Sequence, residues 1–317
     1  MKKIFFLFLL HFLTFGATAQ QEQQYTQFMY NKLAYNPAYA GSNMAACFTA
    51  LHRSQWIGLD GAPKAQLVSF NTPMLNGRVG VGGNIAHQSI GIDSRITADA
   101  AYAYRFPVAH GFLGVGIQAS IRYRSINFSD QRLISTVPLS QDDAIEQGLQ
   151  SKIVPNFGAG VYYNTEKFFL GISIPRLVRN RIGFLEVNGI TAREESHIYA
   201  MGGFIIPISS NLKMQPQALI KFAPRSPFDF EGNLSFMYLD KYSLGASYRV
   251  GNYANKNLGE SVDFLVGLQA TEKLMFGFAY DYSLSPIRNK NSGSIEVMLR
   301  YCMRKAEGEN FVNPRFF

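Results

Sequence analysis

Between residues 228 and 249 the chain alternates with a period of two over two consecutive runs. Phe228, Phe230, Leu234, Phe236 and Tyr238 are interleaved with Asp229, Glu231, Asn233 and Ser235; Tyr242, Leu244, Ala246 and Tyr248 are interleaved with Ser243, Gly245, Ser247 and Arg249. Successive side chains of a strand point to opposite faces, so each run presents one aromatic and aliphatic face and one polar or small face. A transmembrane β-barrel needs this division, because lipid meets its outside and water its inside.

The N-terminus reads as a secretory signal over residues 1–19. Lys2 and Lys3 precede an apolar run from Ile4 to Phe15, and Ala17-Thr18-Ala19 forms a small-x-small cleavage site. The mature chain is expected to begin near Gln20, and with no cysteine just after the cut a lipoprotein anchor is not expected. Beyond the signal no apolar stretch reaches the ~18–20 residues of a spanning helix. Hydrocarbon then leaves closed strands as the way to satisfy the backbone. At ~9–11 residues per strand plus connections, the mature chain accommodates roughly fourteen strands. The 26 Phe and 17 Tyr against a single Trp suit a lipid face and interfacial girdles. A secreted β-sandwich would also alternate, but with shorter strands of ~5–6 residues. The formal charge of +8 is spread along the chain without a basic stripe, so no nucleic-acid partner is expected.

The alternation predicts strands near 46–57, 64–73, 78–88, 95–106, 111–126, 153–163, 167–177, 196–208, 211–222, 227–239, 241–252, 261–271, 273–284 and 293–303. The fold class is therefore all-β, a transmembrane antiparallel barrel of about 14 strands. Leu239-Asp240-Lys241 and Thr271-Glu272-Lys273 read as tight turns, whereas 127–152, 179–195 and 285–292 read as loops. Short turns belong to the periplasm and long loops to the outside. Asp142 to Gln147, ended by Gly148, is expected to form a short helix. The organisation is a signal peptide (1–19), a periplasmic N-terminal segment or one folded into the barrel mouth (20–44), and an outer-membrane barrel (45–317). Folding into the mouth is favoured because Phe28, Met29, Tyr30, Leu33, Tyr35 and Tyr39 need cover.

That segment, Gln27-Phe-Met-Tyr-Asn-Lys-Leu-Ala-Tyr-Asn-Pro-Ala-Tyr-Ala-Gly-Ser42, resembles the opening signature of the PorP/SprF family of Bacteroidetes outer-membrane proteins. Arg53-Ser54-Gln55-Trp56-Ile57-Gly58 and Gly61-Ala62-Pro63-Lys64 resemble its second signature, and the closing Asn313-Pro314-Arg315-Phe316-Phe317 is similar to that family's usual end. The resemblance implies a non-enzymatic component of the type IX secretion system in the outer membrane. Its partners would be a secreted cargo protein with a C-terminal sorting domain, often a gliding-motility adhesin, other type IX components and outer-membrane lipid. Whether this chain is a core secretion component or serves one cargo is left open.

Asn36, Pro37, Tyr39, Gly41, Gln55, Trp56 and Gly58 are the motif residues with two readings, barrel-mouth anchor or partner contact. Pro37 fixes φ and biases Asn36 to an extended conformation, Gly41 permits a turn before the first strand, and Trp56 suits an interface at the far end of that strand. No catalytic, cofactor or metal site is expected. His11, His52, His87, His110 and His197 lack ligand spacing, and the Gly80/Gly82, Gly114/Gly116 and Gly158/Gly160 pairs lie within strands, where close backbone packing explains them. Cys47 and Cys302 fall on the first and last strands, which become neighbours when an even-stranded barrel closes. A disulfide across that seam, in the oxidising periplasm, competes with two free thiols. The inner face carries Asp99, Arg105, Arg122, Arg124, Asp229, Glu231, Arg249, Asp263, Asp281, Glu296 and Arg300. Charges of both signs favour ion-paired networks over a selective pore, leaving a solute transporter or porin as the main alternative and a barrel lipase as a third.

Overall fold

The computed structural model describes residues 24–130, 132, 148–184, 192–224, 228–251 and 259–303. Fifteen strand segments form one sheet: β1 (Ala46–Ser54), β2 (Lys64–Met74), β3 (Val79–Ile90), β4 (Asp93–Val108), β5 (Gly111–Asn127), β6 (Leu149–Asn164), β7 (Phe168–Ile174), β8 (Ile198–Phe204), β9 (Ile206–Pro207), β10 (Leu212–Phe222), β11 (Asp229–Tyr238), β12 (Tyr242–Val250), β13 (Ser261–Gln269), β14 (Leu274–Ser283) and β15 (Ser294–Met303). β8 and β9 are two pieces of one strand, both paired to β10 in the same register. The result is a closed antiparallel barrel of fourteen strands, sealed by the β1–β15 ladder.

Closure satisfies every strand edge, which is the condition for crossing hydrocarbon without a helix. The alternation read from the sequence maps onto the wall. On β11, Asp229, Glu231, Asn233, Ser235 and Met237 are buried inside, while Leu234, Phe236 and Tyr238 are exposed outside. Connections divide by end. At one end, here the turn end, residues 75–78, 109–110, 165–167, 208–211, 239–241 and 270–273 link strands, and Leu75, Asn76, Ala109, Leu239 and Asp240 take positive φ to reverse the chain tightly. The opposite, loop end carries the longer links together with the two-residue β3–β4 turn at 91–92.

Several predicted bounds shift, β6 beginning at Leu149 rather than 153 and β7 ending at Ile174 rather than 177, and the corrections to two strands have a visible cause. The first, expected through residue 57, stops at Ser54: Gln55 N–H donates to the Pro63 carbonyl and Trp56 adopts φ 51°, so Trp56 lies in the following loop rather than on the strand. The eighth is interrupted at Ile205, whose N–H donates to the Lys167 carbonyl. The facing β10 brings Pro216, which has no N–H for the ladder. The expected signal peptide, the helix at 142–147 and the closing Asn313–Phe317 lie outside the described residues.

Candidate functional site

The segment before β1 lies inside the barrel. It has no helical or strand period and folds as three 3-10 turns, Phe28–Tyr30, Lys32–Ala34 and Pro37–Tyr39. Gln24 sits at the loop end, its amide donating to Asp229, and Met44 sits against Gly77 at the turn end. The segment thus runs the length of the lumen before the chain turns back into β1.

Near the loop end it is held by charge. Thr26 Oγ1 donates to Asp281 (2.8 Å) and accepts from Arg53 (2.7 Å) and Arg249 (3.3 Å). The Glu296 carboxylate accepts the backbone N–H groups of Thr26 (2.9 Å) and Gln27 (2.8 Å). Arg53 bridges Asp281 at 2.6 Å and Glu296 at 3.3 Å, and Arg249 bridges Glu231 at 3.1 Å and Asp263 at 3.4 Å. All of these side chains are buried, so they pair with one another instead of with water, although both Asp263 oxygens, Glu231 Oε1 and Arg53 Nε have no hydrogen-bond partner among the described residues. Arg53 belongs to this group although the inner-face reading omitted it. Its neighbours Arg249, Asp281 and Glu296 are on three other strands, and sequence spacing gives no sign of that.

Around and below this network the packing is apolar. Phe28, Leu33, Tyr35 and Tyr39 join the inward Leu51, Leu67, Tyr162, Phe169, Tyr199, Leu219 and Leu265 in one buried cluster. Tyr39 meets Tyr162 edge-on at 5.3 Å, and Tyr35 meets Tyr199 at 5.4 Å. Lys32 is buried here, donating to the Met29 carbonyl with its amine 4.5 Å from the Phe169 ring.

The two signature blocks are placed at opposite ends. Asn36 caps the third turn, accepting the Ala38 N–H at 2.9 Å and donating to the Val161 carbonyl at 3.0 Å, with Pro37 at the first position of the turn. Tyr39 Oη donates to Asn43 at 2.6 Å. Gly41 has φ 73°, donates to Asn71 and accepts from Arg105, with its missing Cβ directed at Gly80. Asn36, Pro37, Tyr39 and Gly41 are all buried. A Cβ at Gly116 would meet the backbone of Ala38, and one at Gly160 the Asn36 side chain; the strand glycines make room for the segment.

Gln55, Trp56 and Gly58 form the loop-end block. The loop they belong to is tied on one side to the β14–β15 connection, through Ile57 N–H to the Gly293 carbonyl, and on the other to the β3–β4 turn, through Gly91 N–H to the Gly61 carbonyl. Gly58 is exposed, and Gln55 and Trp56 are half-buried.

Cys47 and Cys302 are paired residues of the seam strands and are joined by a disulfide at the turn end. A second ion-paired group was not foreseen: Glu194, from the β7–β8 connection, reaches Arg122 at 2.6 Å and Asn156 at 3.0 Å. Ile182 of the same connection accepts from Arg124, which also pairs with Asp93. This loop therefore bends inward over the lumen. Among the described residues no group of three or more His, Cys, Asp or Glu side chains is arranged to hold a metal ion.

A family model described as type IX secretion system membrane protein PorP/SprF matches residues 17–301. The chain belongs to the PorP/SprF family. It is an outer-membrane β-barrel component of the type IX secretion system, as the resemblance implied. No curated protein matches it. Among solved structures it is similar to a mutant of the TodX monoaromatic hydrocarbon channel (11% identity, 85% of this chain and 93% of that one, TM-score 0.51). It is similar also to the CymD monoaromatic hydrocarbon channel (12%, 91% and 94%, 0.50). Omp33 of Acinetobacter baumannii matches over 82% of this chain and all of its own, at 10% identity and TM-score 0.46. At these identities the likeness to the two channels concerns the barrel fold alone.

Proposed function

We propose that this PorP/SprF protein acts without catalysis as a closed platform, supporting export or surface attachment of a cargo protein by engaging its C-terminal sorting domain at the loop end of the barrel. The observation that carries this reading is the filled lumen. Residues 24–44 occupy it, anchored by Thr26, Glu296 and the Arg53 and Arg249 ion pairs, and a lumen filled in this way disfavours the porin reading. Residues 24–44 act as an internal segment of the barrel, and the loop end, carrying Gln55, Trp56 and Gly58, faces outside.

The test is purification of the tagged full-length protein from its native outer membrane in mild detergent, with mass spectrometry of what accompanies it and conductance in planar bilayers. The expected result is a large secreted protein with a C-terminal sorting domain and a silent bilayer. Steady conductance with no protein companion would overturn the platform reading in favour of solute transport.

A further inference from the structure

The outer wall is uneven. On β7 to β15 every outward position carries an aliphatic, aromatic, Met, Gly or Pro residue, as hydrocarbon requires. On β1 to β3 near the loop end it does not. Two adjacent registered rows cross these strands, Ser54–Lys64–Ser89 and His52–Gln66–His87, and all six residues are polar. Lys64 is the one charged side chain at an outward position of the described strands. The rows are flanked on β15 by Ile295 and Val297. The row directly beneath, Ala50–Val68–Ile85, returns to apolar residues, with Val68 and Ile85 exposed.

The lower polar row is a connected array. His87 Nδ1 lies 2.8 Å from Gln66 Oε1, Gln66 Nε2 3.4 Å from His52 Nδ1, His52 Nε2 3.1 Å from Ser54 Oγ, and His87 Nε2 3.1 Å from Ser94 Oγ. One set of tautomers satisfies the chain: His87 donates to Gln66, Gln66 to His52, and His52 to Ser54. The links hold the rings in place while His52, Gln66, His87 and Lys64 stay exposed. Among the described residues Lys64 has no carboxylate partner, and no acidic side chain faces outward on these three strands. The loop above, pinned at Gly61 and Ile57, fixes the rim.

We propose that this face binds the phosphate-bearing head group of an outer-leaflet lipid. A cation with several hydrogen-bonding groups suits an anionic phosphate, and the apolar row immediately below takes the acyl chains. The polar-over-apolar order of the wall matches that of an amphiphile lying along it. Lipid is favoured over a protein partner because the charge is of one sign and the polar patch continues into bilayer-facing surface without a break.

The test uses the full mature protein in phosphatidylcholine nanodiscs doped with phosphorylated lipid A or with its dephosphorylated counterpart, and reads retained lipid by native mass spectrometry. The comparison variant is His52→Leu/Lys64→Gln/His87→Leu. Its outward positions tolerate apolar residues, and its folding is checked by heat-modifiable gel mobility. Wild type should retain the phosphorylated form about tenfold over the dephosphorylated one, and the variant should lose the preference. Equal retention of the two forms by wild type, or an undiminished preference in the folded variant, would overturn the proposal. So would capture of a protein in place of lipid by a photo-crosslinker at position 66 in native membranes.

Discussion

Replacing Glu296 with alanine isolates the polar anchor of the lumen segment. Its Oε1 accepts Gln27 N–H at 2.8 Å, and its Oε2 accepts Thr26 N–H at 2.9 Å and Arg53 Nη1 at 3.3 Å. The side chain is fully buried, so water does not replace it. Two backbone donors are orphaned at about 1–3 kcal/mol each. Arg53 keeps Asp281 at 2.6 Å, so its charge is not left alone and the larger penalty of a broken buried pair is avoided. The local cost is then about 2–6 kcal/mol, and amide exchange at Thr26 and Gln27 should accelerate by at least about 30-fold. Hydrogen exchange with mass spectrometry measures this in detergent. Conductance should stay low, because Phe28, Leu33, Tyr35 and Tyr39 still pack the lumen. Unchanged exchange in a folded Glu296→Ala barrel would refute the claim that this carboxylate holds the segment; open channels would refute the claim that the apolar cluster seals independently of it.

Other outcomes follow from the same geometry. The Cys47–Cys302 link should appear as two alkylated cysteines only after reduction, and Cys302→Ser should lower stability by about 2–4 kcal/mol, read by thermal unfolding; free alkylation without reductant would exclude the link. Lys32→Met removes a cation buried beside the Phe169 ring and should raise the unfolding temperature; a clear fall would contradict the burial argument. Gly116→Val drives a methyl into Ala38 and should increase conductance without loss of the folded band on a gel. An epitope inserted directly before Gln24 should be reached by antibody on intact cells if the loop end faces outside, whereas a tag after Met303 should not.

The wall was legible because a barrel strand writes its two solvents into alternate residues. Closure, and with it the neighbourhood of Cys47 and Cys302 across the seam, follows from an even strand count. Strand ends were less so, because a residue such as Trp56 leaves the sheet through a φ of 51° that no side-chain pattern announces. The lumen contents were legible only as a need for cover. Three short 3-10 turns have no period to detect, and the partners of Thr26 lie 27, 223 and 255 positions away in sequence. Glu194 was hidden for the same reason, since a loop residue shows nothing of the barrel interior it enters.

That placement bears on what each signature block can do. Asn36, Pro37, Tyr39 and Gly41 are sealed inside the barrel, spent on capping a turn and on fitting against Gly80, Gly116 and Gly160. A partner cannot reach them without unfolding the wall, so changes there act through stability and lumen closure. Gln55, Trp56 and Gly58 stand at the opposite end on a loop pinned from both sides, where an aromatic ring is held half-open. Recognition of a partner is therefore to be sought at the second block: Trp56→Ala should weaken cargo recovery while leaving thermal stability and heat-modifiable mobility intact, whereas Asn36→Ala should do the reverse. If Asn36→Ala abolished cargo recovery in a barrel of unchanged stability, the division of labour between the two ends would be wrong.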